Sequence, residues 1–164
     1  MKLITHYIFS AGVLSLALAP LSPYHLAVAF VVSLVANTVI DKLGHKEIAT
    51  AHGVVHSRTP LTHTFPRSIG WGIASAMPLL LFYHSAALLI AGLLVGPTHM
   101  ILDVFTEKGI FVKKNGKWRR FALAHFRYND PAVNGLAVVA GLVMLYLSAS
   151  PSLLHLYSLL SNLQ

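Results

Sequence analysis

Apolar residues fall in five long runs, separated by short breaks or by segments that hold nearly every charge. The runs cover approximately residues 3–19, 24–40, 69–83, 86–105 and 132–149. Each has roughly the length a helix needs to cross a hydrocarbon core of about 30 Å. None shows the strict alternation of a lipid-facing barrel strand, so helices are predicted throughout. Pro20 and Pro23 break the first pair, and the turn between the third and fourth falls near His84 and Ser85. A last apolar segment, 152–163, is too short to span and is predicted to lie in the interface or against the bundle. The expected architecture is all-α: one polytopic membrane domain over 1–164 with about five transmembrane helices. Two strand-free loops, 42–67 and 106–131, would form a small cytoplasmic cap.

Composition agrees with this pattern. Charged residues make up 10% of the chain, against about 25% in a soluble domain, and 55% are hydrophobic. A soluble core this apolar would leave too little polar surface to cover it. The absence of cysteine excludes disulfides, thiolate metal sites and cysteine nucleophiles. Lys2 followed by an apolar run and Ala17-Leu18-Ala19 imitates a signal peptide, but Pro20 would follow the cut and His6 interrupts the run. The first helix is therefore expected to be retained.

Charge positions add a topology. All twelve Lys and Arg lie at Lys2 or within 42–67 and 108–127, and the five acids sit in or beside the same segments. Five spans put the N-terminus and both charged loops on one side, cytoplasmic by the positive-inside rule, with the C-terminus outside. The chain is thus expected to be an integral, multi-pass protein of the cytoplasmic membrane. The formal charge of +7 fits loops that meet anionic headgroups, and no nucleic-acid motif is present. Within the stretch 113–120, Asn115-Gly116 predicts a hairpin turn between two short basic arms. Asp130 followed by Pro131 predicts a capped helix start.

Ionisable residues inside spans are functional candidates by default. His6 lies about one turn from the cytoplasmic end of the first span, and Asn37 and Asp41 close the second. His99, Asp103 and Thr106 share one face of the fourth. A histidine and a carboxylate four residues apart can ligate one ion, or the carboxylate can orient the ring; they can also clasp two helices together. His45, His52 and His56 would share a face if 45–56 were helical, and Pro60 with three hydroxyls predicts a compact turn leading to His63. His6, Asp41, His63, His99 and Asp103 fall at one membrane depth on one side. His25, His84 and His155 fall on the other and are not assigned to the site.

These residues carry a resemblance. Thr5-His6, Ile40-Asp41, the stretch from Arg58 to His63 and the stretch from His99 to Gly109 resemble the membrane-bound metal-dependent hydrolase family that includes the YdjM-like proteins, and in particular its archaeal branch. The matching pieces run from residue 5 to about 109. The resemblance implies a metal set of His6, Asp41, His63, His99 and Asp103, with Arg58 beside it. His45, His56 and His125 are weaker ligand candidates. Where the family carries an acid pair this chain has Asn37 and Asp41, which implies one ion rather than two.

Histidine and carboxylate without thiolate suit zinc first, with manganese, iron or magnesium as alternatives. The expected function is a metal-dependent hydrolase that activates water at the cytoplasmic face, acting on an amphiphilic substrate such as a lipid-linked phosphoester. Arg58 would hold a phosphate, assisted by Arg67 or the 113–120 arm, unless these residues pin the loops to headgroups. Glu107 would serve as general base or as a solvated acid. The alternative is a non-catalytic membrane subunit whose His/Asp cluster is structural or holds a structural metal. A transporter ranks third, because the cluster lies at one end rather than at the midplane.

Overall fold

The computed structural model describes residues 1–50 and 53–150, with side chains described outside 47–56. All five apolar runs form helices: α1 (Leu3–Leu18), α2 (His25–Gly44), α3 (Phe65–Tyr83), α4 (Ala86–Val104) and α5 (Pro131–Ala149). Three of them, α2, α4 and α5, are long and apolar enough to cross a membrane, whereas α1 is apolar but has 16 residues. The apolar segment 152–163, with His155, and His52 lie outside the described residues.

Local chemistry explains the helix starts. Asp130 accepts a hydrogen bond from the Val133 N–H at 3.0 Å, and Pro131 occupies the first helical position as the sequence predicts. Helix α3 begins four residues earlier than expected, at Phe65 rather than 69. The Thr64 hydroxyl accepts from the Arg67 N–H at 3.2 Å, and Pro66 supplies a preset first turn.

The all-α expectation is corrected by two antiparallel hairpins. Strand β1 (His45–Thr50) pairs with β2 (Gly53–Arg58), in register from His45↔Arg58 to Thr50↔Gly53. The shared helical face expected for His45, His52 and His56 therefore does not form. Ile48, Val54 and Val55 favour extended backbone, and the Gly53 break suits a tight return better than a helix interior. The hairpin brings the chain back to its starting point, where the Thr59 N–H donates to the Gly44 carbonyl at 2.8 Å. Strand β3 (Ile110–Lys114) pairs with β4 (Lys117–Phe121). Their turn holds Asn115 at φ 52° and Gly116 at φ 76°, the left-handed pair that an Asn-Gly hairpin requires.

Helix α4 is the most buried element, with α3 along one side and α1 and α2 against the others; α5 packs on α1. The α1–α5 contact is backbone to backbone: a Cβ on Gly141 would stand 2.6 Å from the Ile8 carbonyl oxygen, and one on Gly12 would overlap Gly141. Buried hydroxyls tie α1 to both neighbours, Thr98 of α4 donating to Ser10 at 2.8 Å and Ser148 of α5 to Ser15 at 3.0 Å. The main apolar core (Leu14, Leu18, Val32, Leu88, Val95) fills the end of the bundle remote from the hairpins. A smaller cluster of Ile40, Met100, Val104 and Ile110, with Trp71 packed against it, joins α2, α4, β3 and α3.

Candidate metal centre

Four segments place five polar side chains around one point at the hairpin end of the bundle. His6 comes from α1, Asp41 from the last turn of α2 and His63 from the turn before α3. His99 and Asp103 come from the last two turns of α4. The spacing predicted to put His99 and Asp103 on one face does so, with His99 Nε2 3.2 Å from Asp103 Oδ2. His63 Nε2 lies 3.5 Å from the same oxygen. Asp41 Oδ1 stands 3.8 Å from His99 Nε2 and 4.0 Å from His63 Nε2. His6 stacks on His99 with ring centroids 3.9 Å apart, and its Nε2 is 3.3 Å from Asp103 Oδ1. All five residues of the expected set are therefore brought together.

Two triads among the described residues have ligand-capable atoms within 4.8 Å of one another: His6, His99 and Asp103, and Asp41, His63 and His99. The hydrogen bonds behind the rings fix which nitrogen faces the centre. Asn37 donates its amide N–H to the Ser33 carbonyl at 2.8 Å and to its hydroxyl at 3.1 Å. The Asn37 Oδ1 therefore accepts, at 2.8 Å, from His99 Nδ1–H. The Thr62 hydroxyl donates to the Ile40 carbonyl at 2.9 Å, so its oxygen accepts from His63 Nδ1–H at 2.8 Å. In both rings Nε2 is left as a bare lone pair aimed at the acids. Burial pushes the His63 pKa down to about 2, which keeps this ring neutral and its lone pair available.

The lone pairs are unpartnered. His6 Nδ1 and Nε2, His63 Nε2, His99 Nε2 and Asp103 Oδ2 are buried without a hydrogen-bond partner. Buried polar atoms are normally satisfied, and several orphans around one point mark a place for a ligand. Nitrogen and oxygen donors with oriented second nitrogens are the set a divalent cation takes, so the residues present fit a metal. Access is one-sided. His6, His63, His99 and Asp103 are essentially inaccessible, whereas the Asp41 side chain is 22% exposed and that of His45 27%.

The other expected residues divide. His45 sits at the open edge, its Nδ1–H donating to the Asp41 carbonyl at 2.8 Å and its ring 5.1 Å from that of His63. Arg58 is buried against the centre. Its Nη2 bonds Asp103 Oδ1, and its Nη1 donates to Thr106 Oγ1 at 2.9 Å and to the Gly109 carbonyl at 2.8 Å. The guanidinium thus braces Asp103. Glu107 and His125 are exposed and take no part in the cluster. The His56 backbone pairs with Glu47, and its side chain lies in the undescribed stretch.

Sequence reasoning missed the roles of residues that hold these candidate side chains in place. Asn37 was noted where an acid was expected, but its role as the His99 acceptor needs the α2–α4 contact. Asn134 of α5 accepts from the Thr5 hydroxyl at 2.7 Å and the Lys2 N–H at 3.0 Å, which fixes the first turn of α1 and hence His6. Gly44 is required by close approach: a Cβ there would overlap Thr62 Oγ1 and the His63 ring.

A family model described as "Protein of unknown function (DUF1286)" matches residues 1–102, well over half of the chain. The chain belongs to the DUF1286 family. The DUF1286 match takes in His6, Asn37, Asp41, Arg58, His63 and His99, and ends one residue before Asp103. No curated protein and no solved structure matches the chain.

Proposed function

We propose that this DUF1286 protein is an integral membrane, metal-dependent hydrolase. Its proposed metal ligands are His63, His99, Asp103 and Asp41, with His6 at the edge of the set. The carrying observation is the group of unpartnered Nε2 atoms on His63 and His99, each aimed at Asp103 by an acceptor behind the ring. A divalent ion held by these residues, zinc first, would supply Lewis acidity and lower the pKa of water for attack. Arg58 holds Asp103 in position through its Nη2 hydrogen bond. Asn37 and Thr62 hold the rings, and the exposed edge at Asp41 and His45 is where water and substrate would enter.

The resemblance to the YdjM-like hydrolases and the apolar surroundings favour a lipid-linked phosphoester as substrate. The same reading puts five crossings, with the N-terminus and both hairpins at the cytoplasmic face and the basic hairpin over anionic headgroups. A second reading, a non-catalytic subunit with a structural ion, is favoured by the near-complete burial of four of the five ligands and by the Arg58–Asp103 pair.

Elemental analysis of detergent-purified wild-type protein and His99→Ala, followed by a phosphoester screen with added metals, tests both. Stoichiometric metal lost in His99→Ala, with turnover in the wild type, is expected. Metal-free wild-type protein would sink both metal readings, and bound metal without turnover would favour the structural one.

A further inference from the structure

A shallow groove of about 430 Å³ lies along the start of α3, bounded by the turn that carries His63. Leu61, Arg67, Gly70, Trp71 and Ala74 line it. Residues 67, 70, 71 and 74 recur at the three- and four-residue spacing of one helical strip. Exposed Met77 and Leu81 continue that strip along the helix. The groove is thus cationic at one end and apolar along its length.

Its cation is held in place. Arg67 Nη1 donates to the Pro60 carbonyl at 2.8 Å, and the guanidinium carbon stands 4.8 Å over the Trp118 ring. Pro60 takes one of the five N–H donors that the planar guanidinium carries. Trp71 Nε1–H donates to the Leu61 carbonyl at 3.1 Å, which fixes this ring in the groove's lining. Trp71 and Trp118 both flank Arg67, and tryptophans are the amphipathic rings expected where acyl chains give way to headgroups. The groove is open at Gly70, which is exposed: beyond its own helix backbone and chain neighbours, nothing lies within 4 Å of where a Cβ would stand.

We propose that this groove binds one anionic phospholipid of the surrounding bilayer, with its phosphate on Arg67 and an acyl chain along Gly70, Ala74, Met77 and Leu81. The strip contains no acidic side chain to repel the phosphate. Its apolar continuation runs the length that a chain, rather than a soluble phosphate, would cover. The site shares no residue with the metal centre and does not depend on the hydrolase reading.

The test uses the full chain carrying Trp118→Phe, so that Trp71 is the sole tryptophan, in phosphatidylcholine nanodiscs. These receive equal small fractions of chain-brominated phosphatidylglycerol or chain-brominated phosphatidylcholine, and Trp71 fluorescence is read. The anionic lipid should quench with an apparent affinity about fivefold higher, the preference one basic side chain near an anionic surface supplies. Arg67→Gln should remove that preference. Gly70→Leu, which starts a branched side chain where a Cβ has open space, should weaken quenching by both lipids. His99→Ala should leave the preference unchanged, which separates this site from the metal centre. Equal quenching by the two lipids before any groove substitution, or a preference that survives Arg67→Gln, would overturn the proposal. So would shielding of Trp71 from both lipids in a dimer, since a second copy would then occupy the groove.

Discussion

Replacing Asn37 by leucine tests whether the metal centre depends on an oriented histidine. Asn37 is fully buried, and its Oδ1 is the acceptor for His99 Nδ1–H at 2.8 Å. Leucine has a similar size and accepts nothing. The ring then has two choices. It can keep the proton on Nδ1, leaving a buried donor unpaired at about 1–3 kcal/mol. It can instead move the proton to Nε2, where Asp103 Oδ2 stands 3.2 Å away, which covers the atom proposed to bind the ion. Either route weakens metal binding, and loss of such an outer partner typically lowers affinity by about 10- to 100-fold. Asn37→Asp keeps the acceptor and should bind metal at least as well as wild type. Competition against a chromophoric zinc chelator in detergent measures both variants, with thermal unfolding as the fold control. The reasoning is refuted if Asn37→Leu holds zinc as tightly as wild type. It is equally refuted if a folded Asn37→Asp loses as much affinity as the leucine variant, since the amide would then matter for packing rather than orientation.

Gly44→Ala should lower stability by about 1–3 kcal/mol and reduce zinc affinity together, because its methyl group occupies the space of Thr62 Oγ1 and the His63 ring; melting temperature and chelator competition read the two effects. Gly141→Val should separate α5 from α1 and lower the melting temperature, with helix content retained in circular dichroism, since even a Cβ meets the Ile8 carbonyl at 2.6 Å. Metal-free protein should lose stability on acidification: His63 titrates near 2 when folded and near 6.5 when unfolded, so the unfolded state binds the proton first as pH falls. Its contribution is fully present above about pH 6.5 and shrinks by about 2 kcal/mol by pH 5; His63→Gln should flatten that part of the stability profile. His125→Ala should leave metal content at the wild-type level, because that side chain is exposed and outside the cluster.

The apolar runs were readable because burial against lipid or core needs long stretches without charge, and each run became a helix. The His99–Asp103 pair was readable because residues four apart on a helix must share a face. The convergence of His6, Asp41 and His63 on that pair followed from placing every candidate at one depth, an argument that needs only helix length. The hairpin 45–58 was not readable in the same way. A seven- and eleven-residue histidine spacing fits a helical face, and the tertiary reason for a strand pair is the return of Thr59 to Gly44. Arg58 illustrates a different limit. Arginine in a hydrolase-like motif suggests a phosphate, but its two terminal nitrogens bond Asp103, Thr106 and Gly109, partners brought together by the fold. Asn37 stood out in the sequence beside Asp41, but its role as the His99 acceptor and that of Asn134 under α1 were not readable, because a hydrogen-bond partner on another helix has no sequence signal.

The unpartnered nitrogens bear on whether the cluster is a polar clasp or a ligand site. A cluster whose purpose was to hold α1, α2 and α4 together would gain most from closing each hydrogen bond, since an open buried donor or acceptor costs about 1–3 kcal/mol. Here the bonds are closed on the outer side of His63 and His99 and left open on the inner side, where the lone pairs face Asp103. That asymmetry favours an ion in either proposed reading. What separates the readings is Asp41. Structural sites close their coordination with buried protein ligands, whereas catalytic sites keep a position open to water. Four of the proposed ligands are sealed, but Asp41 sits at an edge shared with His45 that solvent reaches. An ion held there would have a wet side, and a wet side is what hydrolysis needs.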